Sequence, residues 1–136
     1  MDELIVPAKL DRLYEVQGFI SGLMEQAGVD MRMMMKISLV VEEVFVNIAC
    51  HAYTPNEGDA VIRCAVGSDH SVELEFEDSG KPYNPLDKET PDIGLTAEQR
   101  EIGGLGVLLY KTIMDESEYR FEGGKNILTL RKKEEQ

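Results

Sequence analysis

The strongest constraint on the fold comes from two neighbouring β-type segments, residues 60–66 and 72–76, separated by a turn-like Gly67-Ser68-Asp69-His70. In the second segment three apolar residues alternate with three glutamates: Val72, Leu74 and Phe76 against Glu73, Glu75 and Glu77. Successive side chains of a strand point to opposite faces, so one face of this hairpin must be buried while the other meets water. The sequence therefore predicts a sheet that is covered on one face only.

Helical segments are available to cover that face. Apolar residues recur at helical spacing from residue 10 to Gly28, and Asp30 is suited to cap a second helix with its own apolar stripe. That stripe comprises Ile37, Val40, Val41, Val44, Phe45 and Ile48. A helix over 105–114 and strands over 4–6, 119–122 and 127–131 complete the pattern. We predict an α+β two-layer sandwich, with a mixed, mostly antiparallel sheet covered on one face by helices.

Length and charge limit the classes of function. The 136 residues fit a single domain over 1–136. Apolar runs fall far short of the roughly 18 to 20 residues that span a bilayer, and no secretory signal is visible, so we expect a cytoplasmic protein without a membrane segment. A net charge of -12 opposes direct nucleic-acid binding. The same charge would steer a basic protein partner or simply aid solubility.

One row of polar side chains follows the flank of the second helix. Glu43, Asn47 and His51 are four residues apart, which places them on one side of the helix at the edge of its apolar stripe. A partly desolvated carboxylate suits a general base, and a neighbouring amide oxygen suits Mg²⁺. Taken alone, the pair of Glu43 and Asn47 also fits two ordinary surface residues.

Two further motifs are suited to a nucleotide. Asp78 follows the alternating strand and precedes Gly80, so a fixed carboxylate there is able to accept from an adenine amino group, although Asp-x-Gly is also a common turn. The run from Gly103 to Gly106 precedes an apolar helix, whose N-terminal N–H groups attract phosphate. This run lacks the Lys-Ser/Thr of a P-loop and does not follow a strand, so neither the Walker nor the Rossmann interpretation holds.

Between these motifs, residues 81–101 contain Pro82, Pro85, Pro91 and Gly94 with little periodicity. The segment is too long for an ordinary connector, which predicts a lid or a disordered insert. Other candidates favour structural roles. We interpret His51 and His70 as structural, and the methionines at 31, 33, 34 and 35 fit core packing or an adaptable binding surface.

Taken in order, these stretches resemble the gyrase and histidine-kinase type ATPase superfamily with the Bergerat fold. The resemblance rests on Glu43-Val-Phe-Val-Asn47, Asp78-Ser-Gly80-Lys-Pro82-Tyr-Asn-Pro85, Gly103-Gly-Leu-Gly106 and Gly123-Gly-Lys-Asn-Ile-Leu-Thr129-Leu. It runs from about residue 4 to 132. Within the superfamily the chain is similar to the stand-alone anti-sigma-factor serine/threonine kinases of bacterial partner-switching systems.

The resemblance implies a role for each matching residue. Glu43 would be the catalytic base, Asn47 would ligate Mg²⁺, and Asp78 would bind the adenine amino group of ATP. Gly80 and Pro82 would belong to the adenine pocket, with Thr129 backing it, although the usual Gly-Thr pair of the family reads Lys125-Asn126 here. The phosphates would be held beneath a lid over about 86–102 by Gly103, Gly104, Leu105 and Gly106.

The resemblance also implies partners: a sigma factor, an anti-anti-sigma protein of the STAS type, and a second copy in a homodimer. Two other functions stay open. One is a non-catalytic module that uses ATP to dock a partner. The other is a histidine-kinase catalytic domain that acts on a separate dimerisation domain, which we disfavour because no phosphoacceptor helix precedes the motifs in this sequence.

Overall fold

A computed structural model describes residues 1–87 and 106–134. The strands are β1 (Asp2–Pro7), β2 (Asp59–Val66), β3 (Val72–Asp78), β4 (Glu116–Glu122) and β5 (Lys125–Lys132). The α-helices are α1 (Leu13–Gln26), α2 (Met31–Asn47) and α3 (Gly106–Ile113). Single turns of 3₁₀-helix lie at Leu10–Arg12 and Pro85–Asp87, and a π-helical segment, Ile48–Ala52, continues α2. Most of the predicted lid lies outside the described residues.

The strands form one sheet in the order β1-β2-β3-β5-β4. Every neighbouring pair within the described residues is antiparallel, so the predicted fold class is confirmed and its mostly antiparallel sheet is antiparallel throughout that part of the chain. β3 occupies the centre, between β2 and β5. The central position matters because the strand ends at Asp78, whose backbone is then held by a neighbour on each side.

The two faces of the sheet differ as the alternation predicts. Side chains of β2, β3 and β5 that face the helices are buried, among them Ile62, Leu74, Phe76 and Leu130. On the other face, Arg63 pairs with three glutamates: Glu3 at 2.8 Å, Glu75 at 2.7 Å and Glu77 at 3.2 Å. The charged network lets this face stay uncovered by helices.

The helices pack as expected. Asp30 caps α2 by accepting from the backbone N–H of Arg32 at 3.4 Å, and the apolar stripe of α2 is buried. In the methionine run, Met33 is buried and fits core packing, while Met31 and Met35 are exposed. Within residues 1–87 and 106–134, no helix combines the length and the apolar character that a membrane span requires.

Gly80 is needed for a reason that differs from the one the sequence suggested. A Cβ built on Gly80 would lie 2.1 Å from the carbonyl oxygen of Ala52, the last residue of the π-helical segment. The next residue, Lys81, donates its backbone N–H to the same oxygen at 3.1 Å. In the structure, Gly80 therefore makes a close approach to the protein's own backbone, which fixes the chain after β3 against the π-helical segment that continues α2.

Replacing Gly80 by Ala should lower the free energy of unfolding by about 1–3 kcal/mol, because the added methyl overlaps backbone that cannot move aside. Gly18→Ala is the matched control: Gly18 lies within α1 with open space around its Cα, and alanine should stabilise the helix by about 0.5–1 kcal/mol. Urea unfolding of both variants measures the difference. Equal effects of the two substitutions would contradict the contact with Ala52.

Candidate functional site

A cavity of about 540 Å³ opens between the C-terminal part of α2 and the ends of β3, β5 and β4. Its volume lies in the range of about 300–1,000 Å³ that is typical of small-molecule sites. The lining residues are Val44, Asn47, Ile48, His51, Ala52, Phe76, Asp78, Lys81, Pro82, Tyr83, Pro85, Tyr110, Tyr119, Asn126 and Leu128. The cavity thus brings together three of the predicted site residues, Asn47, Asp78 and Pro82, from three separate parts of the chain.

Asp78 is buried and held on one side only. Its Oδ1 accepts from the backbone N–H of Gly80 at 2.9 Å and from Nδ2 of Asn126 at 2.9 Å. Among the described residues, its Oδ2 has no protein partner. Burial raises the pKa of the Asp78 carboxyl, and the two hydrogen bonds to its ionised form oppose that shift. The cavity therefore contains an oriented acceptor with one oxygen open to a ligand.

Asn126, on β5, is the residue that sequence reasoning missed. It is only 6% exposed, and its side-chain amide both donates and accepts hydrogen bonds. Nδ2 donates to Asp78 and to the carbonyl oxygen of Lys81, and Oδ1 accepts from the backbone N–H of Tyr83 at 3.0 Å and the hydroxyl of Tyr119 at 2.5 Å. The only signal in the sequence was the departure from the Gly-Thr pair at residues 125 and 126.

Asn47 lies at the end of α2, where the π-helical segment begins. Its Nδ2 donates to the hydroxyl of Tyr110 at 3.5 Å, and within the described residues its Oδ1 is left for other ligands. Tyr110 is 1% exposed, and burial raises the pKa of its hydroxyl, so this group stays neutral. A neutral partner on Nδ2 orients the amide oxygen of Asn47 without competing for a cation.

Glu43 lies one turn before Asn47, beside the cavity and not in its wall. Its side chain is half-buried. Burial raises the pKa of the carboxyl, and the negative charge of the adjacent Glu42 raises it further. The charge of Glu43 in turn contributes to the raised pKa of Tyr110, which lines the cavity. Glu43 is therefore a carboxylate of increased basicity at the edge of the site.

Thr129 was predicted to back the adenine side, but it is not among the described residues that line the cavity. In β5, Asn126 and Leu128 line the cavity, so Thr129 points to the opposite face, where its register partners are Glu75 and Glu118. Adjacent residues of a strand alternate between faces, and a shift by an odd number of positions reverses the side. Asn126 contacts Asp78 in the place where Thr129 was expected to act.

The remaining predictions have separate outcomes. Gly103, Gly104 and Leu105 lie outside the described residues, and Gly106 is the first residue of α3. His51, interpreted as structural from the sequence, lines the cavity, whereas His70 lies on a turn with Nδ1 3.0 Å from Glu134.

The residues present fit a magnesium ion that arrives with phosphate. Among the described residues, no group of three or more His, Cys, Asp or Glu side chains could hold a metal ion by itself. Magnesium in nucleotide sites commonly takes one or two protein ligands, together with phosphate oxygens and water. The amide oxygen of Asn47 is an oxygen of this kind at the cavity.

Comparison with known proteins identifies the family. Residues 6–132 match the sequence profile of the histidine kinase-like ATPase domain. The chain belongs to this family. The match spans all elements from the end of β1 to the end of β5, so the cavity described above lies wholly within the domain.

Three relatives in sequence bear the names of protein kinases. The chain is 28% identical to the serine/threonine-protein kinase BtrW of Bordetella bronchiseptica over 99 residues, 73% of this chain and 70% of the relative. It is 25% identical to the serine-protein kinase RsbW of Listeria monocytogenes over 130 residues, 92% of this chain and 82% of the relative. Against RsbW of Bacillus velezensis it is 28% identical over 131 residues, 92% of this chain and 81% of the relative.

Solved structures share the fold. The RsbU and RsbW domains of Rv1364c from Mycobacterium tuberculosis superpose with a TM-score of 0.65 at 14% identity over 98% of this chain. The Erythrobacter litoralis EL346 blue-light activated histidine kinase gives 0.59 at 21% identity over 91% of it. The chain spans 33% and 40% of those longer proteins, respectively, so the likeness concerns this domain.

Thr129→Val, which keeps the shape of the side chain and removes its hydroxyl, should leave ATP affinity within about twofold of the wild type, because Thr129 faces away from the cavity. Leu128→Ala, one residue earlier in the cavity wall, should weaken ATP binding several-fold. Calorimetric titration with Mg-ATP compares the two. A large loss of affinity in the Thr129 variant would place its hydroxyl at the nucleotide after all.

Proposed function

We propose that this protein is an ATP-binding serine/threonine kinase and anti-sigma factor that phosphorylates an anti-anti-sigma antagonist in a bacterial partner-switching pathway. The observation that carries the proposal is the buried Asp78, with one carboxylate oxygen fixed by the protein and the other open to an apolar cavity. Membership of the histidine kinase-like ATPase family and the protein-kinase names of the relatives support it.

The cavity suits an adenine base. The open oxygen of Asp78 accepts a hydrogen bond from the exocyclic amino group, whereas the carbonyl that guanine carries at that position would meet a second acceptor. Phe76 and Leu128 offer apolar surface to the ring, and Pro82 and Tyr83 line the cavity where the chain leaves β3. Discrimination of this kind is strong because a buried polar group left unpaired is costly.

The triphosphate would extend from the base toward Asn47 and the glycines that precede α3. Gly103, Gly104, Leu105 and Gly106 are proposed to hold the phosphates, helped by the N-terminus of α3. Asn47 is proposed to hold Mg²⁺ through its amide oxygen. When bound, the ion would offset negative charge on the phosphates.

Glu43 would act on the protein substrate. Its carboxylate takes the proton from a serine hydroxyl as the serine oxygen bonds to the γ-phosphorus and the bond from that phosphorus to the β,γ-bridging oxygen breaks. The products are phosphoserine and ADP. Its place beside the cavity wall, and not within it, suits a base that meets a substrate hydroxyl arriving from outside. The raised pKa makes the carboxylate a stronger base at neutral pH.

The partners follow from the resemblance and from charge. A net charge of -12 favours a basic contact surface on a sigma factor or on an antagonist of the STAS type. Phosphorylation adds roughly -1.5 to -2 charges to the antagonist, which weakens its contact with an acidic protein. The antagonist leaves, and the sigma factor is bound in its place. We propose a homodimer as the working unit.

One observation favours a second candidate, a module that uses ATP to dock a partner without transferring phosphate. Among the described residues, Glu43 does not line the cavity, which fits nucleotide binding without direct contact with this carboxylate. The two functions differ in whether ADP is released when the partner is present.

Glu43→Gln should lower the rate of phosphate transfer at least about 100-fold and leave ATP affinity within about twofold, because it removes the base and keeps the shape. The assay mixes the protein, Mg-ATP and candidate STAS-type antagonists and detects phosphoserine by mass spectrometry. If the wild-type protein phosphorylates no candidate antagonist, the proposed kinase activity is contradicted. ATP-strengthened partner binding in both proteins without ADP release would favour the docking module.

Glu42→Gln is the matched control, because Glu42 is exposed on the neighbouring side of α2. It should keep the rate at neutral pH. The base works ionised, so the wild-type rate should fall as pH drops through the pKa of Glu43, which lies above its ordinary value of 4.5. Removing the charge of Glu42 lowers that pKa, so the acid limb of the pH–rate profile should move to lower pH. An unchanged limb would exclude Glu43 as the titrating base.

A further inference from the structure

We propose that Asn126 is the positioning residue of the base pocket: it holds both the carboxylate of Asp78 and the backbone of residues 81–83 in place without contacting the ligand. The inference rests on the proposed nucleotide site. It assigns a role to the residue at which this sequence departs from the Gly-Thr pair of the ATPases it resembles.

The neighbours of Asn126 determine which way its amide points. The carbonyl oxygen of Lys81, 2.9 Å from Nδ2, is able only to accept, and the backbone N–H of Tyr83, 3.0 Å from Oδ1, is able only to donate. Exchanging the two amide atoms would break both bonds. The amide is therefore locked, and its remaining N–H is directed at Oδ1 of Asp78.

The hydrogen-bonding capacity of the side chain is used by the protein. Nδ2 has two hydrogens, which serve Asp78 and Lys81 and make a longer contact of 3.5 Å with the carbonyl oxygen of Gly80. Oδ1 accepts from Tyr83 and from the hydroxyl of Tyr119. No donor or strong acceptor site is left for a ligand. Asn126 acts on a bound base only through the groups that it holds.

Those groups form one side of the cavity. Asp78 ends β3, while Lys81, Pro82 and Tyr83 belong to the segment that leads from β3 to the 3₁₀ turn at Pro85–Asp87. Without Asn126, Asp78 keeps only the bond from Gly80 among the described residues, and the backbone N–H of Tyr83 loses the acceptor that Asn126 provides.

A threonine at this position would not replace Asn126. Its hydroxyl has one hydrogen to donate, so it serves either Asp78 or the carbonyl of Lys81 but not both. The asparagine amide bridges from β5 to Asp78 on β3 and to the following segment at once. In this protein, Asn126 therefore links Asp78, the proposed acceptor for the base, to the backbone segment that leads into the predicted lid.

The test uses three variants of the full chain. Asn126→Ala removes all five side-chain hydrogen bonds. Tyr119→Phe removes one bond to Oδ1 and keeps the aromatic ring in the cavity wall. Tyr14→Phe, at a side chain that is 86% exposed on α1, is the matched control. Each variant is titrated with Mg-ATP and with Mg-ADP by calorimetry, and amide hydrogen exchange at Tyr83 is followed without nucleotide.

Asn126→Ala should weaken ATP binding about tenfold or more, the scale of one or two lost hydrogen bonds. The loss should be equal for ATP and ADP, because the change is at the base and not at the γ-phosphate. Exchange at Tyr83 should accelerate about tenfold. Tyr119→Phe should give a smaller change of about two- to fivefold in the same direction, and Tyr14→Phe should give none.

The inference is overturned if either site variant, Asn126→Ala or Tyr119→Phe, binds ATP and ADP as tightly as the wild type does and also shows an unchanged exchange rate at Tyr83. If Asn126→Ala does not fold, Tyr119→Phe decides by the same two readouts. Absence of ATP binding by the wild type would instead overturn the proposed function. Amide hydrogen exchange at Tyr83 is measured without nucleotide. It would therefore still show whether Asn126 keeps the backbone of residues 81–83 in place.

Discussion

The site depends on how one carboxylate is held at the end of the central strand. Asp78 is buried, and a buried charge is stable only when hydrogen bonds compensate for the water it has lost. Within the part of the chain that the structure describes, Gly80 and Asn126 supply that compensation to one oxygen only. The other oxygen stays available, so the protein retains a partly unsatisfied acceptor in an apolar cavity. Such a group favours a ligand that brings a donor, which supports the proposal that the cavity is a binding site.

The surrounding fold keeps that carboxylate in position. β3 lies between two partners, so the backbone of Asp78 is paired to Ala60 and to Asn126. Immediately afterwards Gly80 packs against the carbonyl of Ala52, which joins the end of the strand to the end of α2. The same helix carries Asn47 and Glu43. The contact between Gly80 and Ala52 therefore sets the distance from Asp78 to the helix that carries Asn47 and Glu43.

Much of this arrangement could be predicted from the sequence, and the failures have physical causes. Alternation along β3 predicted the buried and charged faces, and four-residue spacing placed Glu43 beside Asn47. Thr129 was predicted to back the adenine side, but it lies three strand positions from Asn126 and therefore on the opposite face of the sheet from the cavity. The bonds of Asn126 join residues that are between 7 and 48 positions apart, and no local pattern encodes them. The sequence singled out Gly80, but the contact that requires a glycine there is with Ala52, which lies 28 residues earlier in the chain.

The most direct test of the account is the preference of the cavity for an amino group. Inosine triphosphate differs from ATP by a carbonyl oxygen in place of that group. Calorimetry on the wild type should show ATP binding at least about tenfold tighter than inosine triphosphate, and Asp78→Asn, which turns the open acceptor into a donor, should abolish or reverse this preference. Equal affinities in the wild type, or an undiminished preference for ATP in the Asp78 variant, would contradict the claim that this carboxylate recognises the base.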